Sequence, residues 1–147
     1  MDRGLAVLLT ACTGGLIALQ APINSMLGKA VGTWHAALVS FAIGTLLLAG
    51  IVAVASGGFA SIGEVRHVSW YYLTGGLLGA AYVTTVLVTV RSLGAGGVTA
   101  ATIAGQLTMA VVVDQLGILG VAKHPITALR VLGVVLLATG TFLIVRE

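Results

Sequence analysis

The sequence predicts an all-α integral membrane protein with five transmembrane helices, and two observations support this. Of the 147 residues, 59% are apolar and only 7% are charged, whereas soluble domains carry about 25% charged residues. The apolar residues also fall into runs of about twenty, the length of helix that crosses the hydrocarbon core. Barrel strands would instead alternate in polarity over segments of about ten residues. Because lipid offers the backbone no hydrogen-bond partners, we expect each run to be a helix.

We place the five spans in a single transmembrane domain, residues 1–147. The first apolar stretch resembles a signal peptide, but it is long, lacks a clear cleavage site and is followed by further spans. We therefore expect a retained helix. The longest polar loop, residues 56–69, is too short for a soluble domain, so function is expected to reside within the bilayer. The predicted spans cover about residues 4–27, 34–55, 70–90, 98–119 and 126–145.

The basic residues give almost no orientation signal. Lys and Arg normally collect on the cytoplasmic side of a membrane protein. With five spans, four basic residues fall on the side of the amino terminus and three on the other. This balance is explained either by a weak signal or by dual topology, in which the chain inserts both ways and pairs with an inverted copy. The first set is Arg3, Arg66, Lys123 and Arg130, and the second is Lys29, Arg91 and Arg146.

The first span carries a proline between two carboxamides. Pro22 removes one backbone N–H and is expected to bend or loosen the helix, so it is a candidate hinge. Gln20 and Asn24 lie four residues apart and therefore on one helix face. We favour a role for both as walls of a polar pathway. The alternative is that they hold helices together through interhelical hydrogen bonds.

The third and fourth spans continue this polar character. Gly75 and Gly79 form a G-x-x-x-G pair, which predicts close helix packing. Tyr82 and Thr85 follow at helical spacing, and either substrate binding or bonding to neighbouring helices would account for them. Gln106 lies near the middle of the fourth span, where we favour a site role over helix bonding.

Asp114 is the one acid inside an apolar run. A charge at the membrane centre costs roughly 2.5–3.5 kcal/mol on insertion scales and less near the interface. Asp114 is a candidate proton or cation site, with a carboxyl made harder to ionise by desolvation. We slightly favour the alternative, an interfacial acid paired with Lys123 or Arg130.

The rest of the chain shows no pattern typical of a catalytic or metal site. Gly133 and Gly140 in the fifth span predict a packing or dimerisation helix. One cysteine, Cys12, and three scattered histidines cannot form a recognisable metal set. We therefore predict no enzyme activity, catalytic residue, metal, cofactor or nucleic-acid partner.

Four segments together resemble the YdcZ-like branch of the drug/metabolite transporter superfamily, whose members are described as inner-membrane exporters. The resemblance covers nearly the whole chain and is specific in combination. The segments are Gln20-Ala21-Pro22-Ile23-Asn24 with Leu27-Gly28-Lys29, Ala36-Ala37-Leu38-Val39-Ser40-Phe41 with Gly44-Thr45-Leu46, Gly75-Gly76-Leu77-Leu78-Gly79-Ala80-Ala81-Tyr82-Val83-Thr84-Thr85, and Ala104-Gly105-Gln106-Leu107 with Asp114, Gly117 and Gly120.

The resemblance implies one half of an inverted-repeat transporter, located in the bacterial inner membrane. Such five-helix subunits work as antiparallel homodimers, as paired paralogues or as fused ten-helix proteins. The first four helices would line the path and the fifth would be peripheral. Smaller multidrug-resistance relatives use a first-helix glutamate to exchange protons for cations. This chain has no acid in that helix, which argues against that route and leaves Asp114 as the candidate carboxylate.

From these observations we expect a transporter of a small, neutral or amphipathic metabolite or drug, operating as an antiparallel dimer in the lipid bilayer. Its pathway would be lined by Gln20, Asn24, Tyr82, Thr85 and Gln106. The alternatives are a structural or accessory membrane subunit and one half of a heterodimeric transporter.

Overall fold

The computed structural model describes residues 2–55 and 57–146, so Met1, Ser56 and Glu147 lie outside the description. The described chain is helical, with apolar helices long enough to cross a membrane. An all-α membrane fold is therefore confirmed. The described residues form four α-helices: α1 is Arg3–Val31, α2 is Thr33–Ala55, α3 is Thr74–Leu116 and α4 is Ala128–Arg146.

The helix α3 is made of two helices joined at a break. Its 43 residues would extend about 65 Å as one straight helix, about twice the thickness of the hydrocarbon core. At Gly94 the backbone leaves the helical region, with φ 68° and ψ 171°. We name the parts on either side α3a, residues 74–93, and α3b, residues 95–116. This break lies between the predicted third and fourth spans, in the glycine-rich segment of residues 93–97.

The structure differs from the predicted spans mainly at their ends. The helix α1 continues beyond residue 27 to Val31 and runs through Pro22 without interruption. It ends where Gly32 takes φ +92°, a conformation that glycine adopts without steric cost. The helix α3b ends at Leu116 rather than at residue 119, because Gly117 also takes a positive φ. The sequence did not indicate two 3₁₀ helices: Ala60–His67 lies in the polar loop, and Trp70–Leu73 replaces the start of the predicted third span, so that α3 begins at Thr74.

The described chain divides into two compact units, one formed by residues 2–18 with 92–146 and the other by Leu19–Arg91. In the second unit, here the α2 unit, the core consists of four small or branched apolar side chains. Leu27 and Tyr82 pack against this cluster, and the Phe41 ring lies 3.6 Å from the position of a Cβ on Gly79. Helix α2 therefore packs against both α1 and α3a. The core residues are Ala36, Ala37, Val83 and Leu87.

In the first unit, here the α4 unit, α3b and α4 form an antiparallel hairpin with polar links at both ends. The Thr141 hydroxyl donates a 3.0 Å hydrogen bond to the carbonyl oxygen of Ala100. At the opposite end the Arg130 guanidinium is 3.0 Å from the Asp114 carboxylate. Within this unit Asp2 accepts a 3.0 Å bond from the Gly4 amide at the start of α1, which satisfies one of the free N–H groups of the first turn.

Candidate substrate pathway

Asn24 is one of two buried polar residues described in the α2 unit, together with Ser25. Together with Ala21, Ser25 and Gly28 it forms the buried stripe of α1, at the spacing of three and four residues that defines one helix face. Only 6% of Asn24 is exposed, and its Nδ2 has no hydrogen-bond partner. Leaving a buried amide donor without an acceptor typically reduces the free energy of unfolding by about 1–3 kcal/mol. Asn24 is therefore a strong candidate for contact with a group from outside the chain.

Gln20 lies one turn earlier on α1 but is exposed. Gln106, on α3b, is exposed as well. A carboxamide that faces hydrocarbon finds no hydrogen-bond partner there. Each of these side chains consequently needs water or a second protein surface beside it when the helices are in the bilayer.

The two candidate residues on α3a have different surroundings. Tyr82 is half-buried, and its ring packs against the apolar core of the α2 unit. Thr85 is exposed, and its hydroxyl donates a 2.9 Å bond to the carbonyl oxygen of Ala81 in its own helix. Such back-bonding is how threonine commonly satisfies its hydroxyl in a helix. Thr85 still retains acceptor capacity, so it remains available to a donor.

The structure therefore brings Asn24 and Tyr82 into the interior of the α2 unit and places Gln20 and Thr85 on its surface. Gln106 belongs to the α4 unit. Pro22, the predicted hinge, is half-buried within a continuous helix. The pathway role of all these residues stays a prediction.

Asp114 is held by several groups around the end of α3b. Its carboxylate is paired with Arg130, one of the two partners considered from the sequence, and its carbonyl oxygen accepts a 2.8 Å bond from the His124 amide. The adjacent Gln115 accepts a 2.7 Å bond from the Ile126 amide. About 27% of the Asp114 side chain remains exposed. This arrangement favours the structural alternative for Asp114 over a free ion site.

The glycines predicted to pack helices differ in the space around their Cβ positions. A Cβ at Gly79 would touch Phe41, but a Cβ at Gly75, Gly133 or Gly140 would meet no atom within 4 Å. If these three glycines pack a helix, the partner is not supplied by the described part of this chain.

Sequence reasoning missed two features of the α2 unit. The first is buried Ser25, beside Asn24. The second is Gly28, which lies just beyond the predicted end of the first span and is buried within α1. A Cβ at Gly28 would lie 3.1 Å from Nη2 of Arg91 and 3.2 Å from Cδ2 of Leu87. The small residues of α1 at spacing three and four were the signal that could have revealed this close packing.

One apolar groove of about 530 Å³ runs along the second half of α2, between Leu46 and Ala55. Its lining is entirely aliphatic or glycine, so it offers nothing to hydrogen-bond a polar substrate. Within residues 2–55 and 57–146, no three His, Cys, Asp or Glu residues are grouped closely enough to hold a metal ion.

Apolar helices of spanning length define a multi-pass membrane protein. The comparison with family models makes this specific: residues 5–143 match the family described as "Putative inner membrane exporter, YdcZ". The chain belongs to this family, and it is a multi-pass protein of the bacterial inner membrane. It shows no significant match to a curated protein or to a solved structure.

Proposed function

We propose that this chain is one half of a small-metabolite or drug transporter, and that two oppositely inserted copies enclose the transport path. The observation that carries the proposal is the exposure of Gln20 and Gln106 within membrane-spanning helices. Lipid cannot pair their amides, whereas a water-filled path between two copies can. An antiparallel pair would also supply the inverted repeat on which many transporters are built. The family membership supports export as the direction.

In this proposal the path is lined by Gln20, Asn24, Tyr82, Thr85 and Gln106. These side chains offer both donors and acceptors but no charge, which suits a substrate recognised by hydrogen bonds. Access would alternate by rocking of one copy against the other, with Pro22 as the point at which α1 yields.

Two glutamines of α3b provide a matched test that distinguishes a role in transport from a role in holding helices together. Gln115 has an observed structural partner, the Ile126 amide, whereas Gln106 is exposed. We expect Gln106→Leu to abolish flux in proteoliposomes while dimer content and melting temperature stay at the wild-type level. Gln115→Leu should lower the melting temperature. The substrate for this assay comes from a solid-supported-membrane screen of metabolites on the purified protein.

If Gln106→Leu dissociates the dimer and Gln20→Leu does the same, the amides are interhelical bonds and the chain is an accessory subunit. A reporter fused to the carboxyl terminus tests the inverted arrangement separately. Two populations, one on each side, are expected for a homodimer. A single location would reject the homodimer and leave pairing with a paralogue.

A further inference from the structure

We propose that the α2 unit recognises an oxyanion, a small organic carboxylate or phosphate, through Asn24 and Arg91. This inference rests on the proposed function and deepens it by assigning a substrate class. It is carried by two independent observations, the unpaired buried amide of Asn24 and the Arg91 guanidinium beside Gly28, one helical turn further along α1.

The first step is the geometry of α1. Asn24 and Gly28 are four residues apart on the buried face, where neighbouring Cβ positions are about 5–6 Å apart. Nη2 of Arg91 lies 3.1 Å from the Cβ position of Gly28. The guanidinium therefore occupies space that any larger residue at position 28 would fill, about one helical turn from Asn24.

The second step is the chemistry of these groups. The Nδ2 of Asn24 and the guanidinium of Arg91 are hydrogen-bond donors only. A buried unpaired donor is satisfied by an acceptor, and guanidinium matches the planar geometry of carboxylate and phosphate oxygens. Arg91 is exposed and is in no ion pair within the described residues. A ligand with negatively charged oxygens would offer an acceptor to each of these two donors.

The third step is the distribution of charge in the α2 unit. Lys29 adds a second cation beside Gly28 in the chain, and His35 lies just after the following turn. The acid of this unit is Glu64, which lies in the 3₁₀ helix beyond the opposite end of α2. With 23 residues, α2 separates its two ends by about 33 Å. No carboxylate within the described α2 unit thus competes with an incoming anion at the Arg91 end.

The test uses purified protein in phosphatidylcholine nanodiscs and two pairs of probes, acetate with acetamide and benzoate with benzamide. We expect at least one anion to raise the melting temperature with saturation, whereas its neutral amide does not at the same concentration. Arg91→Gln and Asn24→Ala should each raise the half-saturating concentration about tenfold, as loss of one bond to a charged group predicts. Arg146→Gln is the matched control, because it removes a charge from the same predicted side of the membrane.

Three results of these binding assays would overturn the inference: no saturable stabilisation by either anion, equal stabilisation by the neutral amides, or an anion response that survives both substitutions.

Phosphatidylglycerol nanodiscs address the other source of an oxyanion, a lipid headgroup. If that lipid stabilises the protein through Arg91 and the probe anions neither stabilise nor compete, the ligand is a lipid headgroup and the substrate assignment fails. Flux of neutral or cationic solutes alone would also overturn it, yet leave the proposed function intact. Anion binding without any flux would instead count against the proposed function.

Discussion

At the scale of single residues, burial separates polar side chains that look equivalent in the sequence. Gln20 and Asn24 share one face of α1, yet Gln20 is exposed and Asn24 is buried without a partner for its Nδ2. The difference arises because the packed neighbours of α1 cover its second half, from Ala21 to Gly28. Helical periodicity shows which face of the helix a residue lies on. It does not show how much of that face neighbouring helices cover.

The ion pair of Asp114 and Arg130 yields the first prediction. Both side chains are about one-third exposed, so we expect a contribution of about 1 kcal/mol rather than the larger value of a fully buried pair. Arg130→Gln should lower the melting temperature because it leaves the Asp114 carboxylate unpaired near the bilayer. Asp114→Asn should cost less, since its amide oxygen can still accept from Arg130.

A double-mutant cycle in detergent, followed by thermal unfolding, measures the coupling of this pair. The double variant should lose less stability than the sum of the losses in the two single variants. Additive losses, together with abolished flux in Asp114→Asn, would instead identify Asp114 as an ion site.

At the scale of helices, the break in α3 depends on one residue. The φ and ψ of Gly94 lie in a region that is essentially restricted to glycine. A Cβ there meets no neighbouring atom, so the constraint is the backbone conformation and not the available space. We expect Gly94→Ala to destabilise the protein by about 1–3 kcal/mol.

Gly96→Ala is the matched control for that substitution, because Gly96 lies in α3b with open space around its Cβ position. Alanine is a better helix former than glycine, so this variant should be neutral or slightly stabilising. Thermal unfolding of both variants checks the pair. Equal stability of the two would show that the turn does not require the observed conformation at position 94.

The predicted packing role of α4 can be tested at the same scale. No residue of α4 is buried within the described chain, and its two glycines contact nothing at their Cβ positions. If they pack a second copy, Gly133→Leu combined with Gly140→Leu should shift purified protein toward monomer with unchanged helix content. Light scattering in detergent and circular dichroism measure the two quantities. An unchanged dimer would place the interface on other helices.

The comparison of sequence with structure is also clearest for helices. Apolar runs predicted the all-α membrane fold because that signal is local, and the break at Gly94 lies between the predicted third and fourth spans. The two 3₁₀ helices, Ala60–His67 and Trp70–Leu73, gave no periodic signal of their own. The contact of Arg91 with Gly28 joins α3a to α1 across a long stretch of sequence, so no local pattern could predict it. For the same reason the partner of Asp114 remained open between Lys123 and Arg130 until the hairpin was seen.

At the scale of the whole molecule, the final prediction concerns the nearly equal numbers of basic residues on the two predicted sides of the membrane. If the chain inserts both ways, its two orientations differ little in free energy, and removal of one charge should shift their populations. Arg66→Gln and Lys29→Gln remove equal charges from opposite predicted sides, and both residues are exposed. A reporter at the carboxyl terminus should therefore move in opposite directions in the two variants. Its wild-type signal should lie between them. A reporter that stays on one side in all three proteins would mean that orientation is fixed by other features, and an inverted homodimer could not form.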